Sequence, residues 1–251
     1  MDDQYLMRAE GVLGDAHSFV RLVDTMPLLR SGLPPSAIRP GDQRIVDAAR
    51  VSIAGNDVDA KNPPERLIRY LVKNRHTSPL EQVRFTFHVR LPMFCARQWI
   101  RHRTGSFNEE SARYGKLRDD FYIPPMSRMN VQAEKNKQAS GDTLVTDAEA
   151  MRTDIDLHCR DSYKLYENLL EGGLARELAR MVLPVNVYTQ WFWTTDLHNL
   201  MHFLTLRTHG HAQSEMRDYA EAMIPMARAV APIAMDAWLE YRETWAKAMK
   251  L

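Results

Sequence analysis

The stretch Val83-Arg84-Phe85-Thr86-Phe87-His88-Val89-Arg90-Leu91 alternates apolar and polar side chains without a fault. Successive side chains of a strand point to opposite faces, so this period marks a strand with one face buried. Pro92, which has no backbone N–H to give a ladder, ends it. Residues 93–103 then read as a helix that packs through Phe94, Trp99 and Ile100.

Upstream, residues 17–23 read as a short strand, and residues 27–40, with Gly32, Pro34 and Pro35, as loop. Asp42 is placed to cap a helix running to about Val51. Pro63 and Pro64 open another through Asn74, because proline is tolerated in a first turn. Downstream, residues 126–141 are polar and aperiodic, which predicts a mobile surface segment. Thr146 and Glu149 have capping-box spacing, and the helix they start should stop at Gly172-Gly173. Residues 185–193 are β-branched and aromatic, as a second buried strand would be. In residues 196–207, Leu197, Leu200, Met201 and Leu204 form one apolar helical stripe. From Gln213 the chain is helical again, with interruptions expected at Pro225 and Pro232. Strands mixed with long helices, without regular βαβ alternation, predict an α+β fold with an antiparallel or mixed sheet, built as a single domain over residues 1–251.

A chain of 251 residues with 45% hydrophobic and 26% charged side chains has ordinary globular composition. The net charge of +1 gives no bulk field for nucleic acid or anionic lipid, so neither is an expected partner. No apolar run approaches the roughly eighteen residues of a membrane span, and no signal peptide opens the chain. Cys95 and Cys159 share no metal or redox spacing, which fits a cytoplasmic protein. There is no internal repeat.

The chemistry is concentrated in Arg101-His102-Arg103-Thr104-Gly105-Ser106-Phe107-Asn108-Glu109-Glu110-Ser111-Ala112-Arg113. Guanidinium forks grip phosphate bidentately, and short hydroxyls and amides add adaptable hydrogen bonds. This set suits a ligand that carries both phosphate and base-edge acceptors. The plain alternative is a solvated helix end with surface ion pairs.

The spacing Arg-His-Arg-x-x-Ser-x-Asn-x-x-Ser-x-Arg resembles the signature of the flavin-dependent thymidylate synthases at every fixed position. Ala48-Ala49-Arg50-Val51-Ser52, His76-Thr77-Ser78-Pro79-Leu80-Glu81, Ala179-Arg180-Met181-Val182-Leu183-Pro184 and residues 196–207 are similar to further segments of that family. The resemblance covers most of residues 44–220. It implies reductive methylation of deoxyuridylate (dUMP) to thymidylate (dTMP), with methylenetetrahydrofolate as carbon donor and FAD, reduced by NADPH, as hydride source. It also implies a homotetramer with flavin sites at subunit interfaces. Carried over by position, Gln98, Arg101, Glu109, Glu110, Ser111, Ala112, Arg113, Arg180 and Arg207 are implied to hold dUMP. Ser78, Arg101, His102, Arg103, Glu109, Asp196, His198 and His202 are implied to hold FAD, supported by His76 and Glu81. Some members have asparagine and arginine in place of Asp196 and His198, and asparagine in place of His202. An aspartate facing a diphosphate is repelled, which leaves Asp196 its backbone or a ribose edge.

Arg207 is the expected catalytic residue, as a cation stabilising charge on the uracil ring. Its bland alternative is a helix-end arginine capping its own last carbonyls. His198 and His202 also have the spacing of zinc ligands, but Asn199 stands where a metalloprotease has glutamate, so no metal is expected. Two other functions fit parts of the sequence. One is a single-stranded RNA-binding module using Arg101, Arg103 and Arg113, which the balanced charge disfavours. The other is a flavoprotein that oxidises NADPH without methyl transfer.

Overall fold

A computed structural model describes residues 5–29, 34, 37–52, 63–134 and 139–249. Strands β1 (Met7–Glu10) and β2 (Phe19–Met26) are followed by helices α1 (Pro40–Val51) and α2 (Pro64–Lys73). Strand β3 (Arg84–Pro92) runs into α3 (Met93–Trp99), and β4 (Ser106–Glu109) follows. A hairpin of β5 (Asn130–Gln132) and β6 (Ser140–Leu144) precedes the long α4 (Ala148–Glu171) and the short α5 (Arg176–Ala179). Strand β7 (Tyr188–Asp196) leads into α6 (Leu197–Arg207), α7 (Ser214–Val230) and α8 (Pro232–Ala248).

The main sheet has the order β1-β2-β3-β7-β4, with every pairing antiparallel. The α+β expectation stands, and the central strand is the alternating stretch itself. Its Phe85, Phe87, Val89 and Leu91 are fully buried, while Thr86, His88 and Arg90 line the other, half-covered face. There His88 stacks on Phe192 at 4.8 Å, and Thr86 bonds Thr194 at 3.0 Å across the strands. On the buried face Trp99 of α3 meets Trp193 of β7 at 5.3 Å and Phe203 of α6 at 4.6 Å. The α6 stripe of Leu197, Leu200, Met201 and Leu204 lies wholly in this core.

Several local expectations shift. The first strand of the sheet, β1, alternates over only four residues, Met7-Arg8-Ala9-Glu10, too short a run to read as a strand. The strand expected at residues 17–23 occupies Phe19–Met26, and that expected at residues 185–193 begins three residues later, at Tyr188. Residues 185–187 instead serve α3, since Val185 and Val187 carbonyls accept from the N–H groups of Phe94 and Met93 at 2.9 Å each. The signature segment, read as loop, contains β4, because Phe107 packs edge-on against Trp191 at 5.1 Å and stacks on Trp193 at 5.9 Å. Within residues 126–141 the described part carries a 3₁₀ turn and the β5–β6 hairpin; residues 135–138 lie outside the described residues, as do parts of the loop expected at residues 27–40. Pro225 sits inside an uninterrupted α7, whereas Pro232 opens α8. The Thr146–Glu149 capping box does not form: Asp147 is the N-cap and no side chain caps it.

Helix α2 closes with paired backbone bonds, His76 N–H to Leu71 O at 2.9 Å and Arg75 N–H to Val72 O at 3.2 Å. This closure needs a left-handed residue, and Arg75 supplies it at φ 55°. For a residue bearing a Cβ the left-handed region is disfavoured by roughly 1–2 kcal/mol.

Asp42 does not cap its own helix. Its buried carboxylate accepts from the backbone N–H groups of Ile233 at 2.9 Å and Ala234 at 3.0 Å, and so caps α8. The approach is possible because residue 41 is glycine, where an added Cβ would stand 2.6 Å from the Val230 carbonyl oxygen. Burial raises the Asp42 carboxyl from 3.8 to about 6. The folded chain therefore holds this proton more readily than the unfolded one, and the contribution of Asp42 declines as pH rises from 3.8 through about 6. We expect Asp42→Ala to cost about 2 kcal/mol in urea unfolding, since two buried N–H groups lose their acceptor. Asp42→Asn should cost less and remove that pH slope.

Glycine at 105 has an equally specific role. A Cβ there would lie 2.7 Å from Trp193 Nε1 and 2.9 Å from the Thr194 carbonyl oxygen. Gly105→Ala should push β4 off β7 and destabilise by about 1–3 kcal/mol, the range for overpacking a core. A thermal melt unchanged from wild type would show that the two strands are not in such close contact.

Candidate functional site

The signature segment is split by β4 into two clusters. The first lies where the end of α3 meets the end of α6. Arg101, His102, Arg103 and Thr104 face Trp193, Asn199, His202, Leu206 and Arg207 around a cavity of about 320 Å³. Trp99 and Phe203 hold the two helices together, and Phe203 also meets the His102 ring edge-on at 4.8 Å.

Arg207 crosses from α6 to α3. Its Nε donates to His102 Nε2 at 3.0 Å, and a terminal nitrogen donates to the Gln98 carbonyl oxygen at 3.1 Å. The helix-cap reading of this arginine does not hold, because Thr208 closes α6 by donating its own N–H and hydroxyl to the Leu204 carbonyl oxygen, at 2.9 and 2.8 Å. Burial, the Arg207 charge and His202 together pull His102 down to about 3. The imidazole is therefore neutral, and since its Nε2 accepts from Arg207, its proton sits on Nδ1. Burial also draws Arg207 below the usual guanidinium value.

Gln98 is held from behind. Its amide donates to the Gln213 side chain, whose own amide donates to Glu215 Oε2 at 2.8 Å. Glu215 is buried and is held also by Arg128 Nε at 3.0 Å and the Tyr122 hydroxyl at 3.1 Å. Sequence reasoning missed this chain of Gln213, Glu215, Arg128 and Tyr122, because only Gln213 and Glu215, at the start of α7, are neighbours in sequence and the other two come from distant segments.

The second cluster surrounds a cavity of about 590 Å³, lined by Glu109, Glu110, Ser111, Ala112 and Arg113 with Arg180, Tyr188 and Thr189. Glu109 accepts from the Thr189 hydroxyl at 2.7 Å, which fixes the end of β4. The Arg113 N–H points to Ser111 Oγ at 3.4 Å, and Arg180 Nε donates to the Glu177 carbonyl oxygen at 3.2 Å. Both arginines are exposed at the rim. Gln98, Arg101 and Arg207 thus do not share a cavity with Glu110, Ser111, Arg113 and Arg180 inside one chain, although one nucleotide was expected to draw on all of them.

The residues expected at the flavin are similarly divided. Arg101, His102, Arg103 and His202 line the first cavity. Ser78 lies in a separate groove of about 410 Å³ with Arg44, Asp47 and Gln82. His76 is exposed and meets Tyr70 edge-on at 5.4 Å. Glu81 is close enough to His198 to favour its protonation, but burial dominates and lowers both His198 and His202. The Asp196 carboxylate is committed to Asn199, accepting from its N–H at 2.9 Å and its amide at 2.8 Å, so it caps α6 and leaves only its backbone for a ligand. Among the described residues no three His, Cys, Asp or Glu side chains converge as metal ligands.

The donor set of the first cavity fits a flavin dinucleotide. The guanidinium groups of Arg101 and Arg103 and the imidazoles of His102 and His202 line it with no carboxylate among the lining residues, which suits a diphosphate and the acceptor edge of a ring. His198 Nδ1 beside it is buried without a partner.

Comparison with known proteins agrees with this chemistry. Residues 36–233 match the family model described as thymidylate synthase complementing protein. The flavin-dependent thymidylate synthase of Dictyostelium discoideum is 44% identical over 225 residues, 90% of this chain and 72% of that protein. One from Thermus thermophilus is 47% identical over 219 residues, 86% of this chain and 79% of that protein. Among solved structures, the UMP/dUMP methylase PolB from Streptomyces cacaoi, bound with 5-Br dUMP, superposes with a TM-score of 0.73 at 37% identity, covering 88% of this chain and 94% of that one. By the extent of the family match and the identity to these relatives, this chain is an enzyme of the flavin-dependent thymidylate synthase family.

Proposed function

We propose that this protein converts dUMP to dTMP, taking the carbon from methylenetetrahydrofolate and using FAD that NADPH reduces. The observation that carries this reading is a half-buried Arg207 paired with a neutral His102 in a donor-lined cavity of the signature segment. Reduced FAD, when bound, supplies the hydride. The part of the chain is binding, orientation and electrostatics.

Arg207 is the catalytic residue. Carbon five of uracil becomes nucleophilic as negative charge builds over the imide and its carbonyl oxygens, and a fixed guanidinium in a water-poor cavity stabilises that charge. The bonds to His102 and Gln98 hold the guanidinium plane and leave its other N–H groups for the ring. A thiol adding to the ring is disfavoured. Burial, with Glu215 and Asp218 nearby, pushes the Cys95 thiol far above its ordinary range, and burial raises Cys159 as well.

Arg113, Arg180, Ser111 and the turn amides are the monophosphate site in this reading, through charge-assisted bonds. Glu109, Glu110 and Ala112 shape its wall, with Gln98 and Arg101 at the base. Because those two clusters lie in separate cavities of one chain, we place them in one site across subunits of a homotetramer. FAD lies along Arg101, His102, Arg103, His198 and His202 at that boundary, with Ser78, His76 and Glu81 from a neighbouring segment. The chain works as one domain, in the cytoplasm.

Purified protein should show a flavin absorption spectrum that NADPH bleaches, followed by dTMP formation that requires both dUMP and methylenetetrahydrofolate. Bleaching without dTMP would leave an NADPH oxidase, and absence of flavin would return the RNA-binding alternative. Arg207→Ala should keep bound flavin and NADPH oxidation while dTMP formation falls about a hundredfold, the effect of removing one preorganised donor. Near-normal dTMP formation by that variant, measured in single turnover, would overturn the catalytic assignment. The double variant Cys95→Ala, Cys159→Ala should retain dTMP formation within about tenfold, as buried, protonated thiols are poor nucleophiles.

A further inference from the structure

The polar side chains that line the first cavity are mainly donors. Arg101 and Arg103 present guanidinium groups, Arg207 presents the N–H groups that His102 and Gln98 leave free, and His102 has its Nε2 taken by Arg207. Among the described residues lining this cavity, Asn199 is the one with a carboxamide. Which way that amide is turned decides whether the wall holds an amide oxygen or one more N–H.

Asp196 makes that choice. A carboxylate offers acceptors only, and here one oxygen takes the Asn199 backbone N–H at 2.9 Å while the other takes the Asn199 side-chain N–H at 2.8 Å. With Nδ2 committed to the cap of α6, the amide keeps its Oδ1 turned away from Asp196. Among the described residues nothing donates to that oxygen, and Asn199 is half-buried at the cavity wall. The cap is held firmly from the sheet: Asp196 pairs with Arg84 at the end of β7, and Leu197 donates its N–H to the Val83 carbonyl oxygen at 2.8 Å.

We propose that Asn199 is a further binding residue of this site, its Oδ1 accepting the N–H of a cyclic imide, and that Asp196 is the positioning residue that holds the amide in this sense. An imide carries one donor between two carbonyls. The guanidinium N–H groups of the wall suit the carbonyls, and Asn199 supplies the acceptor that arginine lacks. This rests on the reading above that flavin and uracil meet at this cavity, and both rings carry that imide. The aspartate beside an anion-binding cavity thereby acts through a neutral neighbour.

Asp196→Asn separates this role from that of a plain helix cap. Asparagine caps a helix about as well as aspartate, so the variant should melt as wild type. Its oxygen takes the Asn199 backbone N–H, which leaves its own NH2 facing the Asn199 side chain. That side chain must then turn its oxygen inward and show NH2 to the cavity. Charge alone predicts the opposite sign, since removing a carboxylate near an anion strengthens binding. Asn199→Leu keeps the aspartate and its backbone bond and removes only the amide.

Flavin-stripped protein is titrated with FAD and with FMN, and flavin-loaded protein with dUMP. Both variants should weaken binding of the ring that meets Asn199 about tenfold, roughly 1.4 kcal/mol. A loss shared by FAD and FMN assigns the flavin imide to Asn199, and a loss for dUMP alone assigns the uracil imide. Unchanged or tighter binding of all three by Asp196→Asn would end the proposal. A loss confined to FAD would end it too, because FMN keeps the imide and lacks only the adenylate. Wild-type protein that takes up no flavin would break the flavin reading instead.

Discussion

The site depends on the contact between Trp99 and Phe203, two fully buried rings 4.6 Å apart. Trp99 ends α3 and Phe203 lies about one turn before the end of α6, so that Arg101 and Arg207 follow the two rings within about a turn. Burying these rings against Trp193 therefore brings the cationic ends of α3 and α6 together, against their mutual repulsion. Aromatic pairs of this kind contribute about 0.5–1.5 kcal/mol beyond the area they bury. The hydrophobic core thus supplies the force that assembles a positively charged cavity, and the charges themselves do not.

Inside that cavity two basic groups compete for one proton, and the competition has a clear winner. A guanidinium gives up its proton far less readily than an imidazole, so the crowding is relieved at His102 and not at Arg207. The neutral ring then becomes an acceptor for Arg207. A pair that would repel if both were charged becomes a hydrogen bond that orients the charge that remains.

Much of this was legible in the sequence. The perfect alternation of residues 83–91 identified the central strand, the stripe on α6 identified its buried face, and the signature segment identified the cavity residues. What escaped was set by partners distant in the chain. Strand β4 forms because Phe107 finds Trp191 and Trp193, although the segment reads locally as polar loop. Asp42 looked like a local cap and serves a helix near the other end of the chain. Asp196 was a poor ligand on electrostatic grounds, and its carboxylate is occupied by Asn199. The division of the signature into two cavities could not be read from spacing, because a short strand separates residues that a loop would have let converge.

The position of β3 in the sheet bears on how the chain comes off the ribosome. Its partner on one side, β2, is made first, but the register on the other side pairs Arg84 with Asp196 and Pro92 with Tyr188. Synthesis at about 5–20 residues per second keeps that edge waiting for several seconds. Throughout that interval an alternating, half-apolar edge is open to any strand that meets it, including the same strand on a neighbouring chain. High local concentration, as on a polysome, is then the condition under which this protein is most exposed to misassembly, and the late arrival of β7 is the event that ends the hazard.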